Sequence, residues 1–322
     1  MSLAFRSLFG ALAHSGERGR LSTLIFHRVL PQPDPLFPDE ITRERFDELC
    51  GWLKSWFRVL PLPDAVAHLR QGTLPRGALA ITFDDGYADN HDVALPVLQR
   101  HGLNASFFVA TGFLDGGRMW NDTLIEAVRA CGLPSIDLRG LHPQTVSLPM
   151  NSVQARAQAI GTLISHAKYL AAEERNQFVH AVAHRAESSL PSDLMMSSVQ
   201  LRHMRASGMH IGAHTVTHPI LRTLSRHDAR QEIEASKRHL ETLLNEPVSL
   251  FAYPNGKPGE DYSPESVELA REAGFQSAVS TRWGVSTQRT DPYQLRRFTP
   301  WDRQQWRFGL RMARNLVSPD AN

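Results

Sequence analysis

Short apolar runs alternate with stretches in which apolar residues return every three or four positions, and this pattern holds along most of the chain. The runs predict strands at Leu21–Phe26, Ala78–Phe83, Ala105–Val109, Met209–Gly212, Val248–Ala252 and Gln276–Val279. Between them, helical spacing predicts helices over Arg43–Phe57, His91–His101, Ser225–Leu244 and Pro264–Ala273. Thr42 and Ser263 stand where an N-cap accepts from the first orphan N–H groups, and Gly102 and Gly274 stand just past two helix ends. Strand–helix alternation of this kind predicts an α/β protein, a parallel sheet with helices outside, either doubly wound or closed as a barrel.

Residues 116–207 break the alternation. Helical patterns over Thr123–Cys131, Val153–Leu170, Glu173–Ser188 and Ser198–Ala206 follow one another with almost no strand pattern between them. They read as a helical insertion on one side of the sheet and not as a separate domain. Residues 1–20 form an N-terminal extension in which Leu3, Phe5, Leu8, Phe9 and Leu12 are interrupted by Arg6 and Ser7. This predicts a short amphipathic helix, not a signal peptide. Residues 301–322 predict a basic amphipathic helix with Trp306, Leu310, Ala313 and Val317 at helical intervals. Six arginines and one acid lie between Leu295 and Leu316, interleaved with Phe298, Trp301, Trp306 and Phe308. Such a segment is either a terminal helix with its arginines in water or a contact for anionic lipid or a lipid-linked glycan.

Composition narrows the function class. With 322 residues and 42% hydrophobic side chains, the chain can bury a full core without a disulfide or metal staple. A net charge of +2 excludes the strongly basic signature of a nonspecific nucleic-acid binder, and no nucleic-acid partner is expected. Cys50 and Cys131 cannot frame a disulfide scaffold and read as buried thiols. No run reaches the ~18 apolar residues of a membrane span. The expected location is cytoplasmic, with at most peripheral membrane contact, and no obligate protein partner is evident.

Two segments carry candidate chemistry. Thr82-Phe83-Asp84-Asp85-Gly86-Tyr87 sets two adjacent carboxylates where an apolar strand ends, followed by a glycine that permits a tight turn. Active sites of parallel α/β folds sit at carboxyl ends of strands, although the same pair also fits a solvated turn that caps the next helix. His214-Thr215-Val216-Thr217-His218-Pro219, again at a strand end, spaces two histidines four apart. In a chain with 15 histidines that spacing alone is unspecific. Thr215 stands where the glutamate of a His-Glu-x-x-His metalloprotease would be. Together the segments supply one carboxylate and two imidazoles as ligands and leave a second carboxylate over. Three protein ligands with an open position suit a catalytic ion that activates water, and the spare carboxylate suits the water's proton.

These two segments resemble the first two motifs of the polysaccharide deacetylase family, carbohydrate esterase family four. Phe251-Ala252-Tyr253-Pro254-Asn255-Gly256 resembles the third, in order and spacing as well. An opening of Phe26-His27-Arg28-Val29 is similar to exopolysaccharide-associated bacterial members. The resemblance implies a distorted (β/α) barrel of about seven parallel strands over residues 21–300, with the helical insertion within it. It implies hydrolysis of N-acetyl groups on N-acetylhexosamine residues of a glycan. It implies Asp85, His214 and His218 as ligands to a divalent metal, Asp84 as general base, and the Asn255 backbone N–H as an oxyanion donor. Zinc suits an Asp-His-His set, and nickel, cobalt or manganese fit the same ligands.

The chain departs from the family pattern in three places. Ala252 stands where an arginine often pairs with the base. The fifth motif, usually Leu-x-His, here reads Leu295-Arg296-Arg297. Arg297 stays protonated and is unsuited to proton transfer, but it can orient Asp84 in place of the missing arginine. The fourth motif keeps only Trp283. His27, at the end of the first predicted strand, is the candidate for the missing acid, against a structural histidine bonded to backbone. Tyr87, Tyr253, Trp283 and Leu295 are candidate substrate contacts, with core packing the alternative for the tyrosines. Two rival readings remain: a deacylase of another amide (a peptidoglycan sugar or small cyclic amide), or a carbohydrate-binding relative without turnover.

Overall fold

Ala78–Phe83 is buried at every position, as an unbroken apolar run requires of a strand covered on both faces. The computed structural model describes residues 2–168, 170–299 and 302–317, so Trp301 lies outside it. In chain order the strands are β1 Ser22–Phe26, β2 Arg58–Val59, β3 Ala78–Phe83, β4 Ser106–Val109, β5 Ser135–Asp137, β6 Ser147–Pro149, β7 His210–Ala213, β8 Leu250–Ala252, β9 Ser277–Trp283 and β10 Leu295–Arg297. The α-helices are α1 Ser2–Leu12, α2 Arg43–Trp56, α3 Leu62–Gln71, α4 Leu95–His101, α5 Trp120–Ala130, α6 Val153–Ala167, α7 Ala172–Arg185, α8 Ser198–Ala206, α9 Arg226–Leu244, α10 Pro264–Glu272 and α11 Gln305–Val317.

Two compact units emerge. The first comprises residues up to Pro31, Ile41–Leu114 and the chain from Met196 on. Its strands run parallel in the order β1-β3-β4-β7-β8-β9-β10, with β2 paired to β3. Phe298, one residue past β10, returns to β1: Ile25 N–H donates to its carbonyl at 3.0 Å and its N–H donates to Thr23 C=O at 2.8 Å. The sheet is thereby a nearly closed barrel of seven parallel strands, the distorted (β/α) barrel expected above. Phe83 stacks on Phe26 and Phe107 at centroid distances of 5.1 and 4.7 Å and meets Phe46 edge-on at 5.6 Å, each burial worth about 1.5–3 kcal/mol.

The predicted strands are found within a few residues of their predicted ends. Thr42 and Ser263 cap α2 and α10, Ser263 within a capping box. Three strands and helices of this unit went unpredicted. β2 is two residues long, α3 lies among prolines, and β10 reads Leu-Arg-Arg, whose buried arginine hides a core strand behind a charged pattern. The expected helix His91–His101 begins as a π-turn, Asn90–Ala94, before α4.

The second unit comprises Gln32–Glu40 and Asp115–Met195. Helices α5, α6 and α7 share an apolar core that includes Leu124, Val128, Leu163, Phe178 and Val182. The antiparallel hairpin β5–β6, not anticipated in the sequence, adds Ile136 and Leu148 to it. Arg129 ties in the 32–40 segment through a bidentate pair with Asp34, at 3.0 and 2.7 Å. Helix α8, read above as part of the insertion, instead contributes Leu201 and Met204 to the barrel core.

At the C-terminus, α11 buries Phe308, Met312 and Leu316. Its Trp306, Leu310 and Val317 face outward. No described helix is long and apolar enough to cross a membrane.

Candidate metal centre

All the residues of the motif loops belong to the barrel unit and gather at the carboxyl ends of its strands. After Phe83 the chain leaves strand geometry at once: Asp85 has φ +77° and Gly86 φ +92°. A Cβ on Gly86 would lie 2.9 Å from Val109 Cγ1, so the turn after the two aspartates needs glycine. The turn sends adjacent carboxylates to different partners.

Asp85 faces the histidine loop that follows β7. Its Oδ1 lies 3.4 Å from His214 Nε2 and 3.4 Å from His218 Nε2. The two imidazole rings stand 4.8 Å apart at 65°. Thr215 and His218 take φ values of +64° and +54°, which curl the loop so that both rings converge. A β-branched threonine in that region is strained, and such strain gathers at functional sites. The Thr215 hydroxyl accepts from His218 N–H at 3.1 Å. Glu232 on α9 holds the outside of the loop, accepting from the Val216 and Thr217 N–H groups at 2.8 Å each. Nothing in the sequence pattern marked Glu232, because only the docking of α9 brings it to a loop 15 residues earlier.

The donor set fits a divalent ion. Asp85, His214 and His218 are the one group of three such ligands among the described residues, with ligand atoms within 4.8 Å of one another. Asp85 Oδ1 is buried without a hydrogen-bond partner. Ligand atoms on a tetrahedral ion with bonds of ~2.0–2.1 Å lie roughly 3.4 Å apart, which matches both spacings here. His214 is fixed from behind by a 2.7 Å contact between Nδ1 and Ala252 C=O. A ring whose Nδ1 donates to a carbonyl presents its other nitrogen as a ligand.

The charges point the same way. Burial opposes ionisation of Asp85, but the His214 imidazole close beside it and the His218 and His27 imidazoles outweigh it and hold its carboxyl well below the usual range. Burial also opposes the His214 imidazolium, yet the Asp85 carboxylate close beside it and Asp84 raise its pKa. Positive charge is favoured where the ligand atoms meet. Burial pushes His218 down to about 4, which keeps it in the neutral form that ligates metals.

Asp84 has a different partner. Arg297 clamps it with both arms of the guanidinium, Nη1 to Oδ1 at 2.6 Å and Nη2 to Oδ2 at 2.7 Å. Both side chains are buried, at 3% and 1% exposure. The Arg297 Nε donates to Ser280 C=O at 2.9 Å and fixes the fork in the barrel wall. Burial raises the Asp84 pKa, but the Arg297 charge and hydrogen bonds overcome it, so the carboxyl sits below its ordinary value. His214 Nε2 is 4.0 Å from Asp84 Oδ2, which sets the second carboxylate beside the ligand cluster.

His27 is exposed on the same rim, near enough to Asp84, Asp85 and His218 to interact electrostatically with each. Its own carbonyl accepts from Asn90 Nδ2 at 2.8 Å. Buried Asp89 accepts from Arg28 Nε and Val29 N–H next in the chain. Asn255 lies exposed in the loop after β8 at φ +57°. Gly256 beside it has no room for a side chain, since a Cβ would approach Thr281 N at 3.0 Å and Tyr253 O at 3.1 Å.

The substrate-contact candidates divide. Trp283 is 50% exposed and stacks on Phe298 at 5.4 Å. Tyr87 is buried beneath the Arg28 guanidinium. Tyr253 is fully buried, stacked on Tyr262 at 3.9 Å with its hydroxyl donating to Tyr293 C=O. Leu295 is buried among Phe108, Ala252 and Val279. Tyr87, Tyr253 and Leu295 are thus buried side chains of the barrel, and Trp283 is the exposed one of the four.

Comparison with known proteins places this geometry in a family. The model of the family described as polysaccharide deacetylase matches residues 71–136 and 165–278, more than half the chain. YxkH of Bacillus subtilis (strain 168), named for the same family, is 22% identical over 280 residues, covering 86% of this chain and 70% of its own. Among solved structures, the Streptococcus pyogenes deacetylase PplD, in complex with acetate, superposes with a TM-score of 0.59 at 18% identity, covering 88% of this chain and 92% of its own. IcaB from Ammonifex degensii gives a TM-score of 0.59 at 19% identity, with 95% of this chain and 99% of its own covered. At such identities the structural likeness speaks for the fold, and the family assignment rests on the sequence match. With its two motif loops meeting at one end of a parallel barrel, this chain belongs to the polysaccharide deacetylase family.

Proposed function

We propose that the protein is a metal-dependent hydrolase that removes N-acetyl groups from N-acetylhexosamine residues of a bacterial exopolysaccharide or a related oligosaccharide. The observation that carries this reading is the pairing of an unpartnered, buried Asp85 oxygen facing two imidazoles with a second, ionised carboxylate beside them. A divalent ion held by Asp85, His214 and His218 would supply Lewis acidity toward the acetamide carbonyl and lower the pKa of an attacking water. Asp84 takes the proton of that water. Arg297 holds Asp84 ionised and aimed, the part an arginine at position 252 would otherwise play. The Asn255 backbone N–H stabilises the developing oxyanion. His27 delivers a proton to the departing amine, since Arg297 cannot give one up. Trp283 is the open aromatic surface for a sugar ring.

The ionised Asp84 favours this reading over a binding protein without turnover, because ligating an ion needs no second carboxylate. Acetate release from N-acetylglucosamine oligomers, measured with zinc supplied and again after chelation, tests it. Release that depends on the metal is expected. No release from any oligomer by protein carrying a full metal complement would overturn it. His27→Ala should lower kcat by roughly a hundredfold with metal content unchanged. Full turnover in that variant would remove His27 from the mechanism.

A further inference from the structure

Trp306, Leu310 and Val317 are 46%, 54% and 50% exposed along one face of α11, and Trp283 beside them is 50% exposed. Among the described residues only three other large apolar side chains are comparably exposed, Val146, Val153 and Val199, and none is aromatic. The same helix is already anchored through its opposite face by Phe308, Met312 and Leu316. Core packing therefore does not explain the outer stripe. Trp283, Trp306 and Leu310 line a shallow surface groove of about 420 Å³ together with Arg307, Arg311 and Arg314.

Charge says what covers it. From Asp302 to Val317 there are four arginines and one acid, and that acid, Asp302, is paired with Arg311 at 3.0 Å. Along the helix, Arg307 and Arg314 follow the apolar stripe on one side, an arrangement that sets cations beside an exposed hydrocarbon edge. A second copy docking through the same face would bring arginines against arginines. Nucleic acid would meet the arginines but leave leucine and valine without a partner. An anionic bilayer surface satisfies both, with the Trp306 indole and the aliphatic side chains at the acyl boundary and the guanidinium groups at the phosphates.

We infer that the outer face of α11 docks the protein reversibly on anionic membrane surfaces. The inference stands whatever the barrel hydrolyses. The experiment is co-sedimentation of the purified full chain with vesicles of phosphatidylcholine alone and of phosphatidylcholine mixed with phosphatidylglycerol. Binding to the mixed vesicles, weakening as salt is raised, is expected. Trp306→Ser/Leu310→Ser and Arg307→Glu/Arg314→Glu should each lower the partition coefficient at least about tenfold. All four positions are exposed, so thermal melting should show both variants folded. Val146→Ser/Val199→Ser, at the exposed valines elsewhere, should bind as the parent does. Absence of binding to either vesicle, equal binding to both, or undiminished binding by the two α11 variants would overturn the proposal. So would a concentration-dependent dimer that Trp306→Ser/Leu310→Ser abolishes, since that would give the face to a second copy.

Discussion

Asp84→Asn is expected to lower kcat by roughly 10²–10⁴-fold while the protein retains its full metal content. The two adjacent aspartates have separate partners, and the variant separates their roles. Asp85 alone faces the imidazoles at 3.4 Å, so the ion should stay when Asp84 changes. Asparagine keeps the shape of the side chain but cannot take a proton from water. It also accepts only one of the two Arg297 hydrogen bonds, so some loss of stability accompanies the change, and a melting curve is needed beside the rate. Metal content is read by elemental analysis and turnover by acetate release. His214→Ala should give the opposite pattern, with metal and activity lost together. Activity in Asp84→Asn within a few-fold of the parent would remove Asp84 as the base.

What was legible in the sequence was whatever local spacing encodes. The strands from Ala78 and His210 show as apolar runs, and the chemistry follows each strand end within a few residues. Gly86 and the His-x3-His spacing belong to the loops themselves. The Arg297–Asp84 clamp spans 213 positions and exists because Phe298 bonds back to β1 and brings β10 beside the rim. Only the resemblance to a family that places an arginine near the base made that contact an expectation. Glu232 was hidden for the same reason, a partner brought in by packing and not by pattern. Helix α11 shows a different limit. Its apolar residues satisfy helical spacing on two faces, and periodicity cannot tell which face is buried. Of the stripe read from the sequence at Trp306, Leu310, Ala313 and Val317, Ala313 is buried and the other three face outward. Tyr253 and Leu295 fit a motif role and a core role equally well in the sequence, and their burial is set by neighbours that no local pattern names.

Arg297→Met is expected to cost about 3–5 kcal/mol of stability, because it strands a carboxylate at 3% exposure without its counter-charge. Asp84→Leu/Arg297→Met removes both charges and should recover most of that loss. Replacing a whole buried pair with apolar groups is often neutral, whereas breaking one is not. Denaturant unfolding at neutral pH, with all proteins stripped of metal, reads the difference. A single variant as stable as the parent, or a double variant no better than the single, would contradict the pairing. The pair also has a pH signature. The folded-state pKa of Asp84 is depressed, so its contribution is complete above the unfolded value of about 3.9 and is lost as pH falls through the folded one. The parent should therefore lose more stability between pH 5 and pH 2 than Asp84→Leu/Arg297→Met, in which Asp85 remains but Asp84 has no proton to bind. Equal losses in the two proteins would mean that Arg297 does not hold Asp84 ionised. Activity should then fail in Arg297→Met even where the variant is kept folded at low temperature. A buried carboxylate freed of its arginine is raised in pKa by desolvation and takes up a proton in place of the one it should receive from water.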